Sequence, residues 1–166
     1  MALPTRPTLW MPRHLLTQMR SLATEKYPLE TGGVLIGYTG GAGGDDVVIV
    51  AITGPGPGAH HSETTLEPDH EYQTQEIARI YRASKGVHTY LGDWHTHPGS
   101  AADLSRRDKK TLKHIASHRD ARMDRPIMAI LGEGSPWTLK VWRLVLGSVV
   151  VFRRARYYEM DVHETP

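Results

Sequence analysis

The chain has no cysteine. That excludes disulfides and thiolate metal sites, and leaves histidine and carboxylate as ligands. It has little net charge. Twenty Lys and Arg against eighteen Asp and Glu leave +2, too small to argue for nucleic acid on its own. Long apolar runs are also missing. Runs such as Val47 to Ile52 and Val149 to Phe152 are far short of the roughly 20 residues of a membrane span. Met1 to Arg20 is broken by Pro4, Pro7 and Pro12 and holds no apolar segment of signal-peptide length. The expectation is a soluble cytoplasmic protein with no membrane and no nucleic-acid partner. No repeat or linker divides residues 1–166, so one domain with one core is expected.

Periodicity gives a coarse order of elements. Pro12 to Lys26 spaces Leu15, Leu16, Met19, Leu22 and Ala23 as a helix does, and stops before Pro28. Thr31 to Tyr38 and Val47 to Thr53 read as two strands of a hairpin around the Gly40–Asp46 loop. Gly54 to Ala59 alternates glycine and proline and reads as irregular. Pro68 to Ser84, with Tyr72, Ile77, Ile80 and Tyr81, predicts an amphipathic helix. Thr89 to Trp94 is a strand, Ser105 to Arg119 a third helix, and Pro126 to Leu131 a further strand. Thr138 to Leu146 and Val149 to Tyr157 flank Gly147-Ser148 as a terminal hairpin. This order predicts a mixed α/β protein, a sheet with helices packed against it. Trp10, Trp137 and Trp142 are expected in the core, and Trp94 in the core or a site wall.

The richest stretch is Asp93-Trp94-His95-Thr96-His97-Pro98, followed by Ser105 and Asp108. Side chains alternate along a strand, so His95 and His97 share one face. Asp108 can return to that face as a third ligand. Two imidazoles and one carboxylate, with a fourth position open for water, make a hydrolytic zinc site. A plain structural account also exists for each piece. His95 and His97 read equally as half-exposed strand histidines. Ser105 and Asp108 form the pattern of a helix capping box. The cap and the metal site can coexist, because a residue in a capped first turn is rigidly held.

Other His-x-His enzymes fit poorly. An amidohydrolase-type barrel typically needs about 250 residues. Cupin-type sites need a glutamate soon after the pair, and Pro98 to Leu104 has none. The zincin signature His-Glu-x-x-His is absent. The pattern His-[Ser/Thr]-His-Pro-x6-Ser-x2-Asp, by contrast, is met at every fixed position by His95, Thr96, His97, Pro98, Ser105 and Asp108. With Glu30 followed by Thr31-Gly32-Gly33-Val34-Leu35-Ile36-Gly37, the chain resembles the JAMM (MPN-domain, JAB-type) metalloprotease family over nearly its whole length.

That resemblance implies a cytidine-deaminase-like MPN fold and one Zn²⁺ held by His95, His97 and Asp108. It implies Glu30 as the proton acceptor for water and Ser105 as a donor to the oxyanion. Gly32 and Gly33 suit this role for Glu30, since bare backbone permits close approach. It further implies cleavage after the C-terminal glycine of ubiquitin or a ubiquitin-like protein. For a compact prokaryotic-type member the expected substrate is a ubiquitin-like or similarly conjugated protein, processed or deconjugated, including in bacterial ubiquitination-like antiviral systems. Gly54 to Glu67 falls where the family places a substrate-contacting insertion. Two other readings stay open: a small-peptide or amide hydrolase of the same fold, and a non-catalytic module that binds a modifier. His60-His61 reads as a solvated loop pair, and Arg106, Arg107, Lys109 and Lys110 as the exposed face of the third helix.

Overall fold

A computed structural model describes residues 6–147 and 154–166. In chain order its elements are β1 (Thr8–Pro12), α1 (Arg13–Lys26), β2 (Gly32–Gly40), β3 (Asp46–Ile52), β4 (His60–His61) and β5 (Leu66–Glu67). Then come α2 (His70–Ala83), β6 (Thr89–His97), α3 (Arg106–Ser117), a 3-10 turn (Arg119–Ala121), β7 (Ile127–Gly132), β8 (Thr138–Leu146), β9 (Ala155–Glu159) and β10 (Asp161–Thr165).

Eight strands form one mixed sheet in the order β10-β1-β3-β2-β6-β7-β8-β9. Its two outermost strands are consecutive in the chain. β9 pairs with β8, the Met160 amide donates to the Val141 carbonyl, and β10 then runs parallel to β1. One nearly continuous strand thus joins both margins, and the sheet must curl to allow it. The buried side chains of α1, Leu15, Leu16, Met19 and Ala23, fill the hollow with Leu35, Ile49, Trp94 and Met160. A second apolar cluster lies on the outer face, where Leu112 of α3 packs with Met128, Ile130 and Leu144. α2 also lies against β2 and β6, and Gln73 is its one buried residue.

The local path of β6 decides where its histidines point. In the pairing of β2 with β6, Leu35 sits opposite Gly92 and Ile36 opposite Tyr90, so Leu91 is an extra, bulged residue. Leu91 and Trp94 both enter the inner core, although three positions apart. The bulge therefore reverses the alternation. Trp94 and the fully buried Thr96 face inward, and Asp93, His95 and His97 face outward toward the cavity beside α3. Gly92 adopts φ +151°, and a Cβ there would collide with the Ile127 carbonyl of β7. No other residue fits this position without parting the two strands.

Several expectations need correction. The sequence reading has no β1 and no β10. Trp10 is 38% exposed on β1, its ring tilted against that of His163, and is not a core residue. Tyr81 is also exposed, because α2 rests on the outside of the sheet. His60 and His61 are paired with Leu66 and Glu67 in a short hairpin instead of lying in a loop. The part of the terminal hairpin expected at 149–153 lies outside the described residues.

Candidate active site

Glu30 stands two residues before β2 and is positioned through its backbone. Its amide donates to the Ser62 carbonyl at 2.7 Å, and its carbonyl meets His61 Nδ1 at 2.7 Å. Next along the chain, the Thr31 amide donates to Thr96 Oγ1 and the Thr96 amide to the Thr31 carbonyl, both at 2.9 Å. These bonds fix Glu30 beside the C-terminal end of β6. A Cβ on Gly32 would strike the Trp94 carbonyl and lie 2.9 Å from His95 Cα, so glycine lets β2 close onto the histidines.

His95 and His97 come from the end of β6, a central strand paired on both sides. Asp108 comes from the first turn of α3. Ser105 is the N-cap: the Asp108 amide donates to Ser105 Oγ at 3.1 Å, and the Ser105 amide donates to Asp108 Oδ2 at 2.7 Å. The expected capping box is therefore present, and it aims the same aspartate at the imidazoles. His95 Nε2 lies 3.1 Å from Asp108 Oδ1, His97 Nε2 lies 3.4 Å from Asp108 Oδ2, and the two Nε2 atoms are 2.9 Å apart. His97 Nδ1 lies 3.1 Å from the Ala101 carbonyl. A proton on Nδ1 satisfies that carbonyl and leaves the Nε2 lone pair facing the cluster.

This donor set suits a divalent ion. A tetrahedron with bonds of about 2.0–2.1 Å has edges of about 3.3 Å, and the separation of the two imidazoles and that of each imidazole from one of the two Asp108 oxygens fall around that value. One atom from each of His95, His97 and Asp108 can lie within 4.8 Å of the others. Two nitrogens and one oxygen are zinc-type ligands, and the protein offers three of them, leaving room for water.

Glu30, Ser105 and the three ligand residues line a single cavity of about 930 Å³. Its walls include β5 with the flanking Glu63, Thr64 and Pro68, the first turn of α3, and the segment after His97. The electrostatics follow from these contacts. Burial raises the Glu30 carboxyl above its ordinary value, and the nearby His95 and His97 only partly offset this. Burial also works against the charged Asp108, but hydrogen bonds from His95 and His97 hold its carboxyl well below the usual carboxylate range. Burial alone would lower His97, yet the Asp108 carboxylate and the Ala101 carbonyl carry it above the ordinary histidine value.

All five residues singled out in the sequence thus meet in one place. Sequence reasoning missed their supports. His61 and Ser62, read as loop, hold the backbone of Glu30. Asp93 shares the outward face with His95 and His97, lines the cavity and accepts a 2.8 Å hydrogen bond from the Tyr90 hydroxyl. Its place two residues before His95 was a visible signal.

A curled mixed sheet with a His-His-Asp group on its outer face and a glutamate in the same cavity has the layout of an α/β metallohydrolase. The chain belongs to the JAB family: residues 12–145 match the family described as prokaryotic homologs of the JAB domain. It is 35% identical over 153 residues to the probable metalloprotease y4qB of Sinorhizobium fredii, spanning 91% of this chain and 89% of that one. Shorter matches reach proteins named CD-NTase/cGAS isopeptidase. One from Escherichia coli is 38% identical over 69 residues, 42% of each chain. One from Enterobacter hormaechei is 31% identical over 107 residues, 64% of this chain and 57% of that one. Among solved structures, protein DSY2949 of Desulfitobacterium hafniense shares the fold, with a TM-score of 0.67 at 18% identity over 95% of this chain and 92% of that one. The relatives are metalloproteases and isopeptidases by name, which makes a JAB-type hydrolase the class of this protein.

Proposed function

We propose that residues 1–166 form one zinc-dependent isopeptidase domain that cleaves after the C-terminal glycine of a ubiquitin-like or similarly conjugated protein. The observation that carries this is the presence of Glu30 in the same cavity as the His95, His97 and Asp108 donors. A metal site that only binds a modifier has no use for a proton acceptor. Zinc held by these three residues would lower the pKa of a coordinated water toward about 7 and polarise the scissile carbonyl.

The chain's own groups do the rest. A Glu30 carboxylate oxygen takes the proton of the attacking water and passes it to the departing amine. Its raised pKa makes it a better base than a solvated glutamate. Ser105 Oγ already accepts the Asp108 N–H, so its own proton is available for the oxyanion. A glycine-ended tail is thin enough to lie extended in the cavity. β5 forms one wall, and its pairing with β4 leaves its other edge for main-chain hydrogen bonds to such a tail. The isopeptidase names of several relatives favour a conjugated protein over a free peptide.

The test uses zinc-loaded protein and a peptide whose glycine-ended tail is joined to a lysine side chain, with mass spectrometry to locate the cut. Cleavage directly after the glycine is expected, with loss of activity in chelator. Glu30→Gln is expected to keep stoichiometric zinc by elemental analysis while losing turnover. Turnover retained in Glu30→Gln would refute the base assignment.

A further inference from the structure

The exposed surface of α3 carries Arg106, Arg107, Lys109, Lys110 and Lys113, whereas its one acid, Asp108, is buried in the cavity. Arg106, Lys109, Lys110 and Lys113 are three or four residues apart and form one stripe. Like charges at these spacings repel, and cations in a first turn oppose the helix dipole. Two of the cations have local partners: Lys109 lies 5.5 Å from the centre of the Tyr157 ring, and Arg107 donates to the Thr64 carbonyl at 3.2 Å. Among the described residues no carboxylate pairs with any cation of the stripe. The remaining residues contain no Asp or Glu. On α2, by contrast, Arg79 is paired with Glu76. Charge that weakens its own helix without serving the fold marks a functional surface.

The stripe's position indicates what it serves. α3 begins at the cavity with Ser105 and Asp108, and Lys113 lies only about 8 Å further along the helix axis at 1.5 Å per residue. A protein whose main chain occupies the cavity covers that distance easily. The residues around β5 that line the cavity include Glu63 and Glu67, so the positive field is confined to the α3 side.

We infer that the α3 stripe docks an acidic surface of the protein substrate, next to the bond to be cleaved. This rests on the isopeptidase reading for the identity of the partner. Nucleic acid is disfavoured because the chain's net charge is only +2 and Glu63 and Glu67 line the same cavity, where they would repel a phosphate backbone.

The probes are two fluorescent isopeptide-linked peptides with the same glycine-ended tail, one carrying a run of glutamates beyond the lysine and one a run of lysines. A DNA duplex is the third. Binding to zinc-loaded Glu30→Gln protein is followed by anisotropy. The glutamate probe is expected to bind about tenfold more tightly than the lysine probe, with the difference shrinking as salt is raised. Lys110→Glu/Lys113→Glu should abolish that preference, and the equally charged control Arg82→Glu/Lys85→Glu should keep it. Both α3 substitutions place an acid four residues after a cation, Arg106 or Lys109, so the melting temperature should hold or rise.

Equal binding of the two peptides, equal loss in the control, tighter binding of DNA or a drop in melting temperature each overturns the inference. Selective binding of the glutamate probe, with neither peptide cut by the unsubstituted enzyme, would keep the docking surface and remove the isopeptidase reading.

Discussion

Ser105 serves both the fold and, on the proposed reading, the reaction, and the two can be separated. Its hydroxyl caps α3, and replacing a capping serine by glycine costs only a few tenths of a kcal/mol, against about 1 for alanine. Ser105→Gly should therefore melt within about 2 °C of the parent. It should keep its zinc and lose about 10²–10³ in kcat, the scale of one oxyanion donor. A kcat that follows the melting temperature instead would leave Ser105 as a cap alone. His97 makes a pH prediction. In chelator-stripped protein its raised pKa stabilises the fold fully below the ordinary histidine value, and that contribution is lost as pH rises through the raised one. Zinc must displace the same proton, so its affinity should climb across the raised His97 pKa and level off above it. Chelator competition at a series of pH values measures this. An affinity independent of pH from about 6 to 9 would exclude His97 as a ligand.

At the scale of elements, the grouping of His95, His97 and Asp108 was legible and its frame was not. His-x-His on a strand and Ser-x-x-Asp at a helix start are local patterns, and spacing alone put the two imidazoles on a common face and Asp108 in a capped first turn. The Leu91 bulge could not be read, since it exists only against β2, and it decides which face the histidines take. β1 and β10 were missed for related reasons. β1 is bounded by Pro7 and Pro12, and β10 is the polar run Asp161–Thr165, which becomes a strand only through its parallel pairing with β1. The β4–β5 hairpin has a role beyond the substrate contact expected of Gly54 to Glu67. Removing it would strip Glu30 of its Ser62 and His61 partners and lower kcat as well as raise KM. Leu66→Ala separates the effects, because it trims the cavity wall and leaves those backbone bonds in place. KM for the tail-linked peptide should rise severalfold with kcat unchanged, and an unaltered KM would place the tail elsewhere.

At the scale of the whole molecule, the mixed α/β class was readable from the order of elements. The closure of the sheet was not, because β9 and β10 take partners from opposite margins and no local pattern records such a return. Among the described residues no helix is long and apolar enough to cross a membrane. The closure and the hairpin together divide the site mechanically. His95 and His97 sit on a strand locked between β2 and β7 in the middle of the sheet. Thr31 ties the chain next to Glu30 to β6, but the amide and carbonyl of Glu30 itself are held only through Ser62 and His61, in a hairpin whose two strands have two residues each. Such peripheral units open at far lower free energy than the central strands. In mild denaturant the enzyme should therefore fall silent while still holding its ion, with activity vanishing well before zinc reaches a colorimetric chelator. Coincident loss of both would mean that the hairpin and the sheet melt as one.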